Sequence, residues 1–178
     1  MSKPVLYLVI CGAGPAKRVA DMIDLALPEW DVWCLATPSA VEHFLDLDDL
    51  ERRTGHPVRT THQGPRQQAL PKADAVLVAP ATYNTINKWA AGIADTYVLI
   101  QLAELTGLGV PIVAMPYVNS ALAANRVFHR SVAELRESGV TVLLNAPHAP
   151  RTPADYPWAA ALGACLPRKS STEGTTPR

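Results

Sequence analysis

Five short, largely apolar runs recur along the chain and alternate with longer segments of helical character. Contiguous apolar residues are typical of strands that are buried on both faces of a sheet. Because strands that alternate with helices form mostly parallel sheets, the pattern predicts a three-layer α/β/α, Rossmann-like fold. The predicted strands are Val5–Ile10, Trp30–Ala36, Ala75–Ala79, Val110–Met115 and Thr141–Leu144.

The segments between these runs predict the helices. Pro80 is expected to end the third strand, and one continuous helix is predicted from Thr82 to Leu105. A further short strand is predicted at Pro57–Thr61. The other predicted helices run from Pro15 to about Leu27, from the Thr37–Ser39 turn onward, over Ala121–Ser138 and over Trp158–Leu166.

Length and composition narrow the class of protein. The 178 residues predict one domain over residues 1–166 and a polar, disordered tail at residues 167–178. Sixteen Lys and Arg balance sixteen Asp and Glu, so no charge pattern points to nucleic acid or an anionic membrane. The widely spaced Cys11, Cys34 and Cys165 predict free thiols in the cytoplasm and no metal site.

Small polar residues follow four of the predicted strands, at Gly12–Gly14, Thr37–Ser39, Thr82–Thr85 and Pro116–Asn119. Since ligands bind at the carboxyl ends of parallel strands, these groups are expected to converge on one edge of the sheet. Hydroxyl, amide and backbone N–H groups at helix N-termini suit a phosphate. Helix capping is the alternative explanation for the same residues.

The stretch P-A-T-Y-N-T-I-N-K-W-A-A-G-I-A-D, residues 80–95, carries a resemblance to a known family. It resembles the P-A-S-A-N-T-I-x-K-x-A-x-G-I-x-D signature of the flavoprotein family of homo-oligomeric FMN-containing cysteine decarboxylases. That family includes phosphopantothenoylcysteine decarboxylases and lantibiotic peptidyl-cysteine decarboxylases. The resemblance covers roughly residues 5–144 and implies a flavodoxin-like fold, an FMN cofactor, a small or peptidyl substrate, and a trimer or a multiple of trimers.

The resemblance also implies a reaction and a cofactor site. In the family, flavin oxidises the substrate thiol, carbon dioxide leaves the thioaldehyde, and the enethiolate is released or reduced. The implied FMN contacts are Gly12, Ala13, Gly14, Thr37, Ser39, Thr82, Tyr83, Asn84, Thr85 and Tyr117.

The chain departs from the family where catalysis is concerned. Arg66 stands at the position of the family's proton-carrying histidine, and His62 lies four residues earlier. Arginine cannot act as a base near neutral pH, although Arg66 and Asn119 can hold a carboxylate. The segment from Asn145 to Pro157 lacks the family's reducing cysteine, and the Met-Trp pair of the substrate motif is replaced by Leu122-Ala123.

Several alternatives stay open. The predicted catalytic residues are Asn119, Arg66 and His62, and either His62 or His148 can have taken over proton transfer. The chain is expected to act on a substrate other than phosphopantothenoylcysteine. The other hypothesis is a flavin-binding protein without turnover that serves as a structural or regulatory partner.

The predicted trimer has a modest physical motive of its own. Trp89, Ile93, Tyr97 and Ile100 follow helical spacing and form more apolar surface than one helix face is expected to bury within a monomer.

Overall fold

The computed structural model describes residues 2–62, 69–149 and 155–165. Within these residues the chain forms one parallel sheet of five strands. The strands are β1 (Val5–Ile10), β2 (Asp31–Ala36), β3 (Ala75–Ala81), β4 (Ile112–Pro116) and β5 (Thr141–Val142).

Helices follow every strand. A 3₁₀ turn at Gly14–Arg18 comes directly after β1 and leads into the first α-helix. The described helices are α1 (Val19–Ala26), α2 (Pro38–His43), α3 (Leu47–Thr54), α4 (Tyr83–Ala90), α5 (Tyr97–Gly107), α6 (Ser120–Ala123), α7 (Arg126–Glu137) and α8 (Trp158–Gly163). Among the described residues, none of these helices combines the length and apolarity needed to cross a membrane.

The strand order is β2-β1-β3-β4-β5, so the first strand lies inside the sheet. Val5 pairs with Asp31 of β2 on one side of β1, and Leu6 pairs with Ala75 of β3 on the other. The chain therefore reverses its direction of travel across the sheet between β1 and β3. A reversal of this kind opens a crevice at the carboxyl ends of the two strands, which is where ligands bind in doubly wound sheets.

The two faces of the sheet bury separate apolar clusters, and this confirms the predicted three-layer, flavodoxin-like fold. Leu6, Leu8 and Ile10 of β1 pack into the cluster that includes residues of α1 and α8. Tyr7 and Val9, on the opposite face, pack into the cluster that includes residues of α4, α5 and α7. Alternate residues of one fully buried strand thus join both layers, as contiguous apolar runs predict.

The prediction of one continuous helix from Thr82 to Leu105 is wrong. Gly92 adopts a left-handed φ of 70°, its N–H donates to Trp89 O at 3.0 Å, and Ile93 N donates to Lys88 O at 2.8 Å. This paired pattern is a Schellman motif, which ends α4. Thr96 then caps α5, because its Oγ1 accepts from Leu99 N at 3.3 Å.

Three other predicted boundaries also change. Pro80 does not end its strand, since β3 continues to Ala81 through an irregular register after Val78. The helix predicted over residues 121–138 is two helices, because Asn125 caps α7 with Oδ1 accepting from Val127 N at 2.9 Å. The predicted strand at residues 57–61 is reduced to one bridge between Leu35 and Arg59.

The break between α4 and α5 removes the physical argument for a trimer that was based on an apolar helix face. Trp89 is buried in α4 and donates from its Nε1 to Thr106 Oγ1 at 3.1 Å. Ile93 lies between the helices and is 46% exposed, while Tyr97 and Ile100 belong to α5. The four residues therefore do not form one stripe on one helix.

Candidate functional site

Most of the small polar residues that follow the strands line one cleft of about 640 Å³ at the carboxyl edge of the sheet. We call it the strand-end cleft. Its volume lies within the range of roughly 300–1,000 Å³ that small-molecule sites occupy. The residues that line it are Gly12, Ala13, Thr37, Pro38, Ser39, Thr82, Tyr83, Asn84, Thr85, Lys88, Thr96, Leu99, Tyr117 and Leu122.

Two strand-end turns meet closely at Gly12. A Cβ atom added to Gly12 would lie 2.4 Å from Ser39 Oγ and 3.0 Å from the Ser39 carbonyl carbon. Glycine is therefore required by the approach of the two turns, since no side chain fits between them. The close contact brings the Gly12–Ala13 backbone and the Ser39 hydroxyl to one wall of the cleft.

The hydroxyl of Thr37 is not used to cap α2. Thr37 occupies the N-cap position, yet its side chain makes no capping hydrogen bond. Its Oγ1 lies 3.5 Å from Ser39 Oγ, and both residues line the cleft. The capping explanation therefore does not hold for the Thr37 hydroxyl.

The first turn of α4 forms another wall. Thr82 Oγ1 accepts from Thr85 N at 3.2 Å and lies 2.9 Å from Thr85 Oγ1, so this hydroxyl does cap its helix. Asn84 is exposed in the cleft one residue before Thr85. Because the N-terminus of an α-helix carries partial positive charge and unsatisfied N–H groups, this wall favours an anion.

A buried thiol lies beneath this wall. Cys11 has no exposed surface, and its backbone N donates to Pro80 O at 3.1 Å. Burial raises the pKa of the Cys11 thiol, and hydrogen bonds with the Thr85 side chain and the Thr82 backbone lower it by less. Cys11 is therefore a neutral packing residue at neutral pH and not a nucleophile.

Aromatic rings form the wall at the end of β4. Tyr117 lines the cleft and stacks on His148, with ring centroids 4.3 Å apart and planes inclined by 23°. Tyr156 meets the Tyr117 ring edge-on at 5.9 Å and donates from its hydroxyl to Met115 O at 2.5 Å. Burial, and secondly the nearby Cys11, raise the pKa of Tyr156 well above its ordinary value, so the phenol stays neutral.

Gly14 and Asn119 lie beside the cleft without lining it. A Cβ atom at Gly14 would come within 3.7 Å of the Tyr117 ring. Asn119 caps α6, because its Oδ1 accepts from Leu122 N at 2.9 Å. The carboxamide oxygen of Asn119 is thus committed to the helix, and the N–H₂ group is the part that can still contact a ligand.

The structure separates His62 from the cleft. His62 packs edge-on against Tyr97 with ring centroids 4.9 Å apart, in a different cavity of about 560 Å³ that we call the Tyr97 cavity. Arg66 lies outside the described residues. Within the residues that the structure does describe, no three His, Cys, Asp or Glu side chains are grouped to hold a metal ion.

The sequence analysis missed three residues that line the cleft, namely Lys88, Thr96 and Leu99. Lys88 lies one helical turn after Asn84, so i and i+4 spacing on a correctly bounded helix would have found it. Its Nζ pairs with Asp95 Oδ2 at 2.5 Å. Thr96 was overlooked because the helix break that makes it an N-cap was not predicted.

Comparisons with known proteins agree with this architecture. The sequence profile of the family described as Flavoprotein matches residues 1–162. None of the curated proteins compared with the chain matches it in sequence.

Solved structures share the fold at low sequence identity. The FMN-dependent cysteine decarboxylase SpaF is 22% identical with a TM-score of 0.70, over 90% of this chain and 95% of that chain. HAL3 from Cryptococcus neoformans is 19% identical with a TM-score of 0.75, over 90% of this chain and 93% of that one. A PPC decarboxylase mutant complexed with pantothenoylaminoethenethiol is 22% identical with a TM-score of 0.69, over 80% and 82% of the two chains.

Proposed function

The chain belongs to the Flavoprotein family, and on that basis we propose that its strand-end cleft binds one FMN per chain. Family membership confirms the predicted class of cofactor, a flavin. The domain that binds it is proposed to extend over residues 1–166, close to the 1–162 span of the family match.

One observation carries this proposal: the ends of four parallel strands bring small polar groups into one cleft at the β1/β3 reversal. The donors fit a phosphate, because the backbone at Gly12 carries no side chain and the Thr37 hydroxyl does not cap its helix. The α4 N-terminus adds a favourable field for negative charge. The ring of Tyr117, at the other side, fits an aromatic or apolar portion of a ligand.

The proposed reaction is an FMN-dependent oxidative decarboxylation of a small or peptidyl substrate with a terminal cysteine. Bound FMN would supply the two-electron acceptor that thiol oxidation requires. The chain's own residues would orient the substrate: the Asn119 N–H₂ group, whose carboxamide oxygen caps α6, would donate to a carboxylate, and Leu122 would offer an apolar contact within the cleft. The shared fold of SpaF, an FMN-dependent cysteine decarboxylase, supports this reaction class.

The substrate is proposed to differ from phosphopantothenoylcysteine. Arg66 replaces the histidine that the resemblance implies, and His62 lies in the Tyr97 cavity instead of the cleft. Leu122 lines the cleft where the family places a methionine. These differences change both proton transfer and the shape of the substrate wall.

We further propose that the protein is a homo-oligomer, a trimer or a multiple of trimers. The support is the family resemblance, since the apolar stripe that first motivated it is divided between α4 and α5. Light scattering at micromolar concentration is expected to give a mass several times the 19.1 kDa of one chain. A monomeric mass would reject the assembly while leaving the cofactor proposal intact.

The competing function is a flavin-binding protein without turnover, acting as a partner of another subunit. A two-stage experiment separates the two functions. Calorimetry with FMN is expected to show one site per chain, and a colourless protein without FMN binding would reject the flavin proposal. The FMN-loaded protein is then mixed anaerobically with a peptide ending in cysteine, and with the same peptide ending in serine as control.

Flavin bleaching with carbon dioxide release from the cysteine peptide alone supports the enzyme. Flavin that stays oxidised with this peptide and with phosphopantothenoylcysteine supports the partner function. Rapid turnover of phosphopantothenoylcysteine would contradict the proposed change of substrate.

A further inference from the structure

His148 is fixed against the wall of the cleft although it lies 29 residues after Asn119. Ser120 N donates to His148 O at 2.8 Å, and Asn119 and His148 form a parallel β-bridge. The His148 ring is stacked on Tyr117, which lines the cleft. Backbone and ring contacts together therefore hold an imidazole beside Asn119 and Tyr117.

The hydrogen bond of the ring identifies which nitrogen is basic. His148 Nδ1 lies 2.9 Å from Ala149 O. A carbonyl oxygen only accepts, so Nδ1 carries the proton and Nε2 holds the lone pair of the neutral ring. His148 is only partly buried, and it contacts the cleft through Tyr117 without lining the cleft itself.

Three other histidines are engaged elsewhere. His43 pairs with Glu42 at the surface, His56 contacts Asp31 and stacks on Trp33, and His62 packs on Tyr97. The location of His148 next to the cleft sets it apart from these three.

We propose that His148 Nε2 is the base that accepts the thiol proton of the substrate. This assignment rests on the proposed function and names its proton acceptor. In the step, the S–H bond breaks, its electron pair stays on sulfur as a thiolate, and the proton forms an N–H bond at Nε2. A thiolate gives up electrons to a flavin more readily than a thiol does, because it is the stronger nucleophile.

The surroundings suit both protonation states of the ring. Tyr117 can stack on neutral imidazole and attracts the imidazolium through its π-electrons. Neither Tyr117–Ser120 nor Asn145–Ala149 contains a charged side chain. The phenol of Tyr117 faces the His148 ring directly, and that of Tyr156 lies one ring further.

The kinetic test uses His148→Asn and His148→Phe, the second of which keeps a ring against Tyr117 and loses the base. His129→Asn, the same substitution on the exposed face of α7, is the control. Each FMN-loaded variant is mixed anaerobically with the cysteine peptide, and flavin reduction is followed by stopped flow across pH. Both His148 variants are expected to react about 10²–10⁴-fold more slowly than wild type, the usual range for loss of a general base.

Two further readouts exclude a merely structural role. Added imidazole is expected to restore part of the rate in His148→Gly and to leave His148→Phe unchanged, since the latter has no space for it. Nitrogen-edited NMR of wild-type protein with pre-reduced flavin is expected to show protonation of His148 Nε2 when the cysteine peptide binds. The serine peptide is expected to leave the Nε2 resonance unchanged.

The failures are distinguishable. Wild-type rates in the His148 variants, or an Nε2 resonance that the bound cysteine peptide does not move, would overturn this assignment alone. Wild-type protein that does not take up FMN, or that does not bind the peptide, would overturn the proposed function and this assignment together.

Discussion

The strand-end cleft and the Tyr97 cavity are similar in volume, about 640 and 560 Å³, and differ in how they are built. The cleft is made largely of backbone and short side chains at the ends of parallel strands, whose positions the sheet fixes. The Tyr97 cavity is lined by long ionisable side chains from separate loops and α5, including Arg59, Lys72 and Glu104. Convergent, rigidly placed donors therefore distinguish the proposed ligand site from a cavity of similar volume.

The largest expected effect on FMN affinity comes from filling the contact between the two strand-end turns. Gly12→Ala places a Cβ atom 2.4 Å from Ser39 Oγ, so the turns must separate. Overpacking of this kind costs about 1–3 kcal/mol, and we expect FMN affinity to fall by about 10- to 100-fold in calorimetry.

The matched control is Gly107→Ala, because a Cβ atom at Gly107 meets nothing within 4 Å. Its FMN affinity is expected to equal that of wild type. Equal affinity in Gly12→Ala as well would mean that the close approach does not shape the cofactor site, and the contrast between cleft and cavity would lose its main support.

A helix cap inside the cleft should matter more for the ligand than a cap elsewhere. Thr82→Ala and Asn125→Ala each remove a side-chain cap, from α4 and α7 respectively. Both are expected to lower the free energy of unfolding by about 1 kcal/mol in denaturant titrations. Only Thr82→Ala is expected to weaken FMN binding, because Thr82 lines the cleft and Asn125 does not. The expected loss is about 3- to 10-fold, which corresponds to one hydrogen bond. Equal weakening in both variants would assign the effect to general destabilisation.

The Tyr97 cavity is expected to influence stability at alkaline pH instead of ligand binding. Burial, and then the nearby Tyr97, raise the pKa of Tyr7 to about 12, and its hydroxyl donates to Pro71 O at 2.5 Å. Because the folded-state pKa is above the unfolded value near 10, this stabilisation is complete below pH 10 and is lost as pH rises toward 12. Tyr7→Phe should therefore flatten the fall in thermal stability between pH 10 and 12 and leave FMN affinity at pH 7 unchanged. A wild-type slope in the variant would contradict the role of Tyr7.

The smallest expected effect is that of His62→Asn. His62 lines the Tyr97 cavity, so the substitution should change FMN affinity and the rate of flavin reduction by less than about twofold, the margin expected of a surface change. Stopped-flow measurements beside His148→Asn make the comparison direct. A large loss of rate in His62→Asn would bring the Tyr97 cavity into the reaction and remove the distinction between the two sites.

Sequence alone could predict the sheet and most of the cleft for the same physical reason. Strands buried on both faces must be apolar throughout, as in Leu6–Ile10, and the groups that follow them must share one edge. Gly12, Thr37 and Thr82 were predictable in this way, because each lies within two residues of the end of a strand.

The parts that could not be predicted depend on weak local signals or on distant contacts. The end of α4 depends on the left-handed Gly92, a signal that the apolar spacing on either side of it obscured. The location of His148 depends on its pairing with Asn119, which is distant along the chain. From the sequence alone, His148 was one of two candidates for proton transfer. The four-residue offset of His62 from the family position indicated that His62 would reach the cleft only through a rearranged loop. The offset could not show where His62 lies instead, since loops and α5 form the Tyr97 cavity together.

The inner position of β1 determines when the cleft can exist during synthesis. β1 can pair with β2 once residue 36 has emerged, yet its other edge stays open until β3 is made, about 70 residues after β1 begins. The last described wall of the cleft, Tyr117 and Leu122, arrives still later. A nascent chain that ends before Tyr117 contains the turns after β1, β2 and β3 but lacks the last wall of the cleft. Flavin uptake must therefore follow translation of about two thirds of the protein. Ribosome-bound fragments that end before Tyr117 should be unable to retain FMN.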